Sequence, residues 1–81
     1  MKVQVVFFGS LSESVQADPL AVEAVDGETV GALRQRLCRD FEMAAPVLSS
    51  AMVAIDTEYG SDDTVLKDGA EVAFLPPVSG G

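Results

Sequence analysis

The 81-residue sequence predicts an α+β domain. Three observations carry that reading. Runs with strand-like alternation, rich in Val and Phe, stand at both ends of the chain. One long segment, Val30 to Phe41, repeats apolar residues at helical spacing. Asp-Gly pairs and prolines punctuate the sequence between these segments. The order is strand, strand, helix, strand, a short turn or edge strand, strand. A chain of this length is one domain, burying roughly 60–65% of its unfolded surface. With 48% apolar residues and a single cysteine, its fold rests on a core and not on a disulfide.

The opening KVQVVFF reads as a strand in which Val3, Val5 and Phe7 share one face and Gln4, Val6 and Phe8 the other. SLSESVQ, Ser10 to Gln16, has only Leu11 and Val15 in helical register, enough for one helical turn or a loop. Pro19 opens a second strand, Leu20 to Val25, closed by the turn pair Asp26-Gly27. Thr29 is placed to cap the helix that follows, with Val30, Leu33, Leu37 and Phe41 as its apolar stripe. Arg34, Arg36 and Arg39 lie toward its C-terminal half, where the helix dipole favours cations, and Pro46 bars its continuation. The stretch Glu42 to Ser50 is short for a further helix. Ala51 to Asp56 predicts a third strand, with Val53 and Ile55 on one face. Thr57 to Asp63 reads as a turn or short edge strand around Tyr59 and Gly60, and Asp68-Gly69 as a turn. The last strand, Glu71 to Leu75, alternates Val72 and Phe74 against Glu71, Ala73 and Leu75, and stops at Pro76-Pro77. The first two strands can pair as a hairpin-like unit, and the last fits beside the first.

A single helix covers one face of such a sheet. If Val3, Val5, Phe7, Val72 and Phe74 face it, then Val6, Phe8, Ala73 and Leu75 face away, and Tyr59 can join them. A solvated face should alternate to polar residues; this one stays apolar. Either loops fold over it, or it is a protein interface, and contiguous apolar surface of this kind marks interfaces.

Thirteen acids against five bases give a net charge of −8. Such a field repels phosphate backbones and anionic lipid, which argues against nucleic acid and membrane surfaces and favours a basic protein partner, or simple solubility. No apolar run approaches the roughly 18 residues of a membrane span. The start, Met1-Lys2 leading into VQVVFF, has no signal-peptide pattern, so a cytoplasmic protein is expected.

The chemistry-bearing residues are sparse. There is no histidine, the commonest general base and metal ligand. Cys38, at the flank of the helix stripe, reads as a packed small hydrophobe and has no partner at metal-ligand spacing. Asp62 and Asp63 read as solvated turn acids, and Asp18, Asp26, Asp40, Asp56 and Asp68 as caps and turns. GSLSES holds no phosphate-loop pattern. Neither a cofactor nor a metal site is expected.

What remains is the end of the sequence, PPVSGG. Residues 1–76 are read as the domain and residues 77–81 as a flexible tail. Pro77, Val78, Ser79, Gly80 and Gly81 can extend roughly 17 Å at about 3.3–3.6 Å per residue, and two glycines fit a passage too narrow for Cβ atoms. The reactive group on such a tail would be the Gly81 carboxylate. A carboxylate is a poor acyl donor; as an acyl-adenylate it gains a leaving group, and a sulfur nucleophile displacing AMP would leave a thiocarboxylate. The alternative is an ordinary frayed terminus.

FLPPVSGG at the end, with KVQVVFFGSL at the start and TVGALRQRL on the helix, resembles the small, sulfur-carrying subunits of molybdopterin synthase, a branch of the ubiquitin-like β-grasp sulfur carriers. The resemblance covers the whole chain. It departs at Ala70, where the family often has a second acid after the Asp-Gly turn, and at Asp56, where it often has asparagine. The resemblance implies a mixed-sheet β-grasp fold. Gly81 would be adenylated by a ubiquitin-activating-enzyme-like adenylyltransferase using ATP and magnesium. It would then receive sulfur from a cysteine desulfurase or sulfur relay protein. The loaded tail would enter the large synthase subunit, in a heterotetramer, and give sulfur to a cyclic pyranopterin monophosphate, two loadings per dithiolene. Catalytic lysines and anion-binding residues would belong to the large subunit, so the small subunit is no enzyme on its own. Phe8, Tyr59 and Leu75 are the expected docking surface. A related carrier serving thiamine, tungsten cofactor or tRNA thiolation, a protein modifier, and a plain interaction domain remain alternatives.

Overall fold

The computed structural model describes residues 1–15 and 19–77. Its elements are β1 (Lys2–Phe7), α1 (Ser10–Ser14), β2 (Leu20–Glu23), α2 (Val30–Asp40), α3 (Ala45–Leu48), β3 (Met52–Ile55), β4 (Glu58–Tyr59) and β5 (Glu71–Leu75). The five strands form one mixed sheet in the order β2-β1-β5-β3-β4. β1 pairs antiparallel with β2 and parallel with β5, and β3 pairs antiparallel with β5 and β4. The last strand therefore occupies the centre of the sheet beside the first, as the alternation of both strands requires.

α2 lies where its period places it. The Thr29 hydroxyl accepts the Ala32 amide at 3.2 Å, and Val30, Leu33 and Leu37 are buried. They meet Val3, Val5 and Phe7 of β1, Val72 and Phe74 of β5, and Val53 of β3 in one core. Leu11 and Val15, the two apolar residues of the short polar stretch, join it at 1% exposure, so α1 is a lid of one helical turn. Phe7 stacks on Phe74 with ring centroids 6.2 Å apart and meets Phe41 edge-on at 6.5 Å. Cys38 packs half-buried against the core, with its Sγ 3.9 Å from the Ala45 carbonyl oxygen.

Several boundaries differ from the sequence reading. β2 stops at Glu23 rather than Val25, because the Val25 amide and carbonyl are taken by the side chain and amide of Glu28 in the turn that follows. α2 ends at Asp40, with Phe41 as its C-cap at φ −122°, ψ 75°; Pro46 does not stop it but stands in the first turn of α3, where its missing N–H costs nothing. Only Arg39 serves the last turn of α2. Arg34 instead donates to the carbonyls of Leu48 (2.9 Å) and Ala51 (2.6 Å), pairs with Asp62 at 2.9 Å, and lies 5.5 Å from the Phe74 ring centroid. Arg36 pairs with Glu28 at 3.1 Å. Asp62 is thus an ion-paired tether, whose carbonyl also accepts the Gly31 amide, and not simply a solvated acid.

Candidate functional site

β5 sits between β1 and β3 and carries the chain outward from the middle of the sheet. Pro76, which follows it, is half-buried, and Pro77 is exposed. Pro76 is seated against Gly9: a Cβ on Gly9 would come 2.9 Å from Pro76 Cγ, and Gly9 itself stands at φ 60°, ψ −136°, a region that favours glycine. This contact aims the exit of the chain at the start of the tail, and the sequence reading did not find it. Of the expected tail, Val78, Ser79, Gly80 and Gly81 lie outside the described residues, as do Gln16 and Asp18.

The sheet face turned away from α2 is built by register. Val6, Ala73, Ala54 and Tyr59 stand at one level across β1, β5, β3 and β4, and Leu75 stands beside Met52 at the next. Phe8 follows β1 at that same end, and its amide donates to the Phe74 carbonyl at 3.1 Å. Among the described residues, no helix lies across this face. Phe8 keeps 48% of its surface exposed, Tyr59 73% and Met52 38%, with Leu75 and Val6 half-buried. Phe8, Tyr59 and Leu75 are thus brought to the face on which they were expected, with Met52 and Ala54 added from β3. The period-two pattern of AMVAI, with Val53 and Ile55 inward, carries the signal for those two. Ala73 faces this side as expected, but is only 7% exposed, because its methyl lies in the central strand, flanked by Val6 and Ala54.

The face is polarised along the strands. Its apolar residues gather where the chain leaves. Four residues back along β5, about 13 Å at roughly 3.3 Å per residue, stand Glu71 and, beside it, Asp56, whose Oδ1 accepts the Glu71 amide at 3.0 Å. Among the described residues, no group of three or more His, Cys, Asp or Glu is arranged to hold a metal ion, and no helix is long and apolar enough to cross a membrane.

A five-stranded mixed sheet with one main helix on one face, and a C-terminal strand at its centre, defines a ubiquitin-like β-grasp domain. The chain belongs to the ThiS family, which matches residues 5–81. It is 40% identical over 81 residues to the molybdopterin synthase sulfur carrier subunit of Escherichia coli, covering 98% of this chain and 99% of that one. Among solved structures it is similar to one in the complex of subunits 1 and 2 of the molybdopterin-converting factor of Helicobacter pylori, with 27% identity, a TM-score of 0.71 and full coverage of both chains. The crystal structure of SAMP1 from Haloferax volcanii shares the fold at a TM-score of 0.83, with 22% identity and full coverage of both chains.

Proposed function

We propose that this chain is the sulfur carrier subunit of molybdopterin synthase. The observation that carries the reading is the end-to-end relationship to such subunits, in a chain whose central strand ends at Leu75, two residues before an exposed Pro77 and beside an uncovered apolar face. The working group is the Gly81 carboxylate. A ubiquitin-activating-enzyme-like adenylyltransferase uses ATP and magnesium to form the acyl-adenylate, with pyrophosphate released. A cysteine desulfurase or relay protein presents sulfur as a persulfide, whose terminal sulfur attacks the acyl carbon as AMP leaves; a thiol then cleaves the S–S bond of the resulting acyl disulfide, releasing the thiocarboxylate and leaving a disulfide behind. The tail, Pro77, Val78, Ser79, Gly80 and Gly81, then enters the active site of the large subunit, which supplies the acid-base and anion-binding groups. Sulfur passes there to the cyclic pyranopterin monophosphate. The small subunit contributes the acyl group and the handle, holds no cofactor of its own, and works in the cytoplasm.

The docking face is an energetic requirement of this scheme. Ordering five tail residues costs about 1–2 kcal/mol each in backbone entropy, glycine being the worst case. Two glycines and a serine have little apolar surface to offset that. The face formed by Phe8, Tyr59 and Leu75 must hold the partner while the tail threads.

Intact-mass analysis after incubation with ATP, the activating enzyme and a sulfur source tests the proposal. The expected result is a gain equal to one oxygen replaced by sulfur, localised to Gly81 by fragmentation. An unchanged mass, with a control carrier loaded in the same mixture, refutes it.

A further inference from the structure

The edge of the sheet beside the docking face carries a second feature. β4 is only two residues long, and behind it the β3–β4 hairpin and the segment from Thr64 to Ala70 enclose an open notch of about 210 Å³. Its apolar lining comes from Ile55, half-buried, from Val65, 52% exposed, and from Ala70. Glu58 stands on the hairpin side and Lys67 on the opposite segment; neither has an ion-pair partner among the described residues. Tyr59 borders both this notch and the outer sheet face. The notch is smaller than the roughly 300–1,000 Å³ of small-molecule sites, which suits one inserted side chain rather than a ligand.

From this geometry we infer that the docking footprint does not end at the sheet face but continues round the β4 edge into the notch. The occupant is a segment of the large synthase subunit bearing an aliphatic side chain next to an arginine or lysine. The inference rests on the docking reading given above. Three observations select the occupant. The notch is continuous with the docking face at Tyr59. A two-residue edge strand is short enough for a partner chain to reach around. Charge complementarity sets the flank: Glu58 lies at the rim of a chain of net charge −8, and Lys67 on the far wall directs the partner's cation to the hairpin side. The aliphatic side chain covers Ile55 and Val65, and the cation pairs with Glu58 as water is displaced. A contact away from the tail gives the partner a second anchor and fixes its rotation about the strand axis.

The test uses the full-length chain and the large synthase subunit of the same organism, titrated by calorimetry at low and high salt. Val65→Glu and Glu58→Lys are each expected to weaken binding about tenfold or more, as loss of an anchoring contact does. The Glu58→Lys deficit is expected to shrink at high salt. Phe8→Asp is the control for the sheet face. If Phe8→Asp loses binding while both notch variants stay within about twofold of the parent, the notch inference is overturned and sheet-face docking stands. If Phe8→Asp binds like the parent, the docking reading itself fails. Both notch positions are exposed, so the fold should survive; Val65→Ala provides a milder variant. Hydrogen exchange on the unaltered complex gives an independent readout: protection at residues 55–60 and 64–67 is expected, and its absence overturns the inference.

Discussion

Replacing Phe8 by aspartate is expected to separate the proposed docking from folding. Phe8 lies just beyond β1 with 48% of its surface exposed, so it contributes little to the core of the isolated domain. Full burial of a phenylalanine side chain stabilises by about 1.5–3 kcal/mol, so roughly half, about 1 kcal/mol, is left for a partner to gain. Aspartate forfeits that and adds a charge that must be desolvated without a partner, which costs about 3–5 kcal/mol. The sum, about 4–6 kcal/mol, corresponds to roughly 10³–10⁴-fold in affinity. Water reaching the rim of the interface reduces this, so a loss of at least about 100-fold is expected. Calorimetric titration of the large subunit measures it. Thermal melting should change little, since surface substitutions stay within about 0.5 kcal/mol and the Phe8 amide keeps its bond to the Phe74 carbonyl. Ala32→Asp, an exposed position on α2, controls for the added charge alone. Parent-like affinity in a folded Phe8→Asp variant would refute the reasoning.

The remaining predictions concern the tail, a tether and a turn. Deleting Gly81, or appending one residue after it, should abolish thiocarboxylate formation in the intact-mass assay and leave the melting curve unchanged, because both changes lie beyond β5. Arg34→Met keeps much of the stem but strands the Ala51 carbonyl, leaves the Leu48 carbonyl only its bond from the Ala51 amide, and frees Asp62. With about 1–3 kcal/mol for one stranded carbonyl, a loss of about 2–3 kcal/mol is expected in urea unfolding, and a loss below about 1 kcal/mol would show that water replaces the guanidinium. Thr57→Gly should stabilise by about 0.5–1 kcal/mol. Asp56 and Thr57 both hold positive φ, 49° and 71°, in the two-residue hairpin turn between Ile55 and Glu58, and a β-branched residue there is strained. Calorimetric melting showing destabilisation would mean that the bond from the Thr57 hydroxyl to the Asp56 carbonyl outweighs the strain.

Much of the molecule is legible in its sequence, and the legible parts share a cause. The alternation of Val3, Val5 and Phe7, the helical stripe of Val30, Leu33 and Leu37, the Thr29 cap and the turns at Asp26-Gly27 and Asp68-Gly69 all follow from relations between residues two to four apart. Steric and hydrogen-bonding rules act at that range, so the pattern alone sets the element. The apolar outer face was legible for the same reason, since side chains alternate along a strand. What stayed hidden depends on residues that meet only after the chain has crossed over itself. Arg34 finds its carbonyl partners 14 and 17 positions away and Asp62 28 away, so its place in the sequence suggested a helix-end cation and its place in the fold made it a tether. Ala73 is shielded by neighbours on two other strands, Pro76 rests on Gly9 from the far end of the chain, and the notch exists only because the β3–β4 hairpin lies against residues 64–70. Burial is a property of the whole packed assembly, and local periodicity says which way a side chain points but not what it will find there.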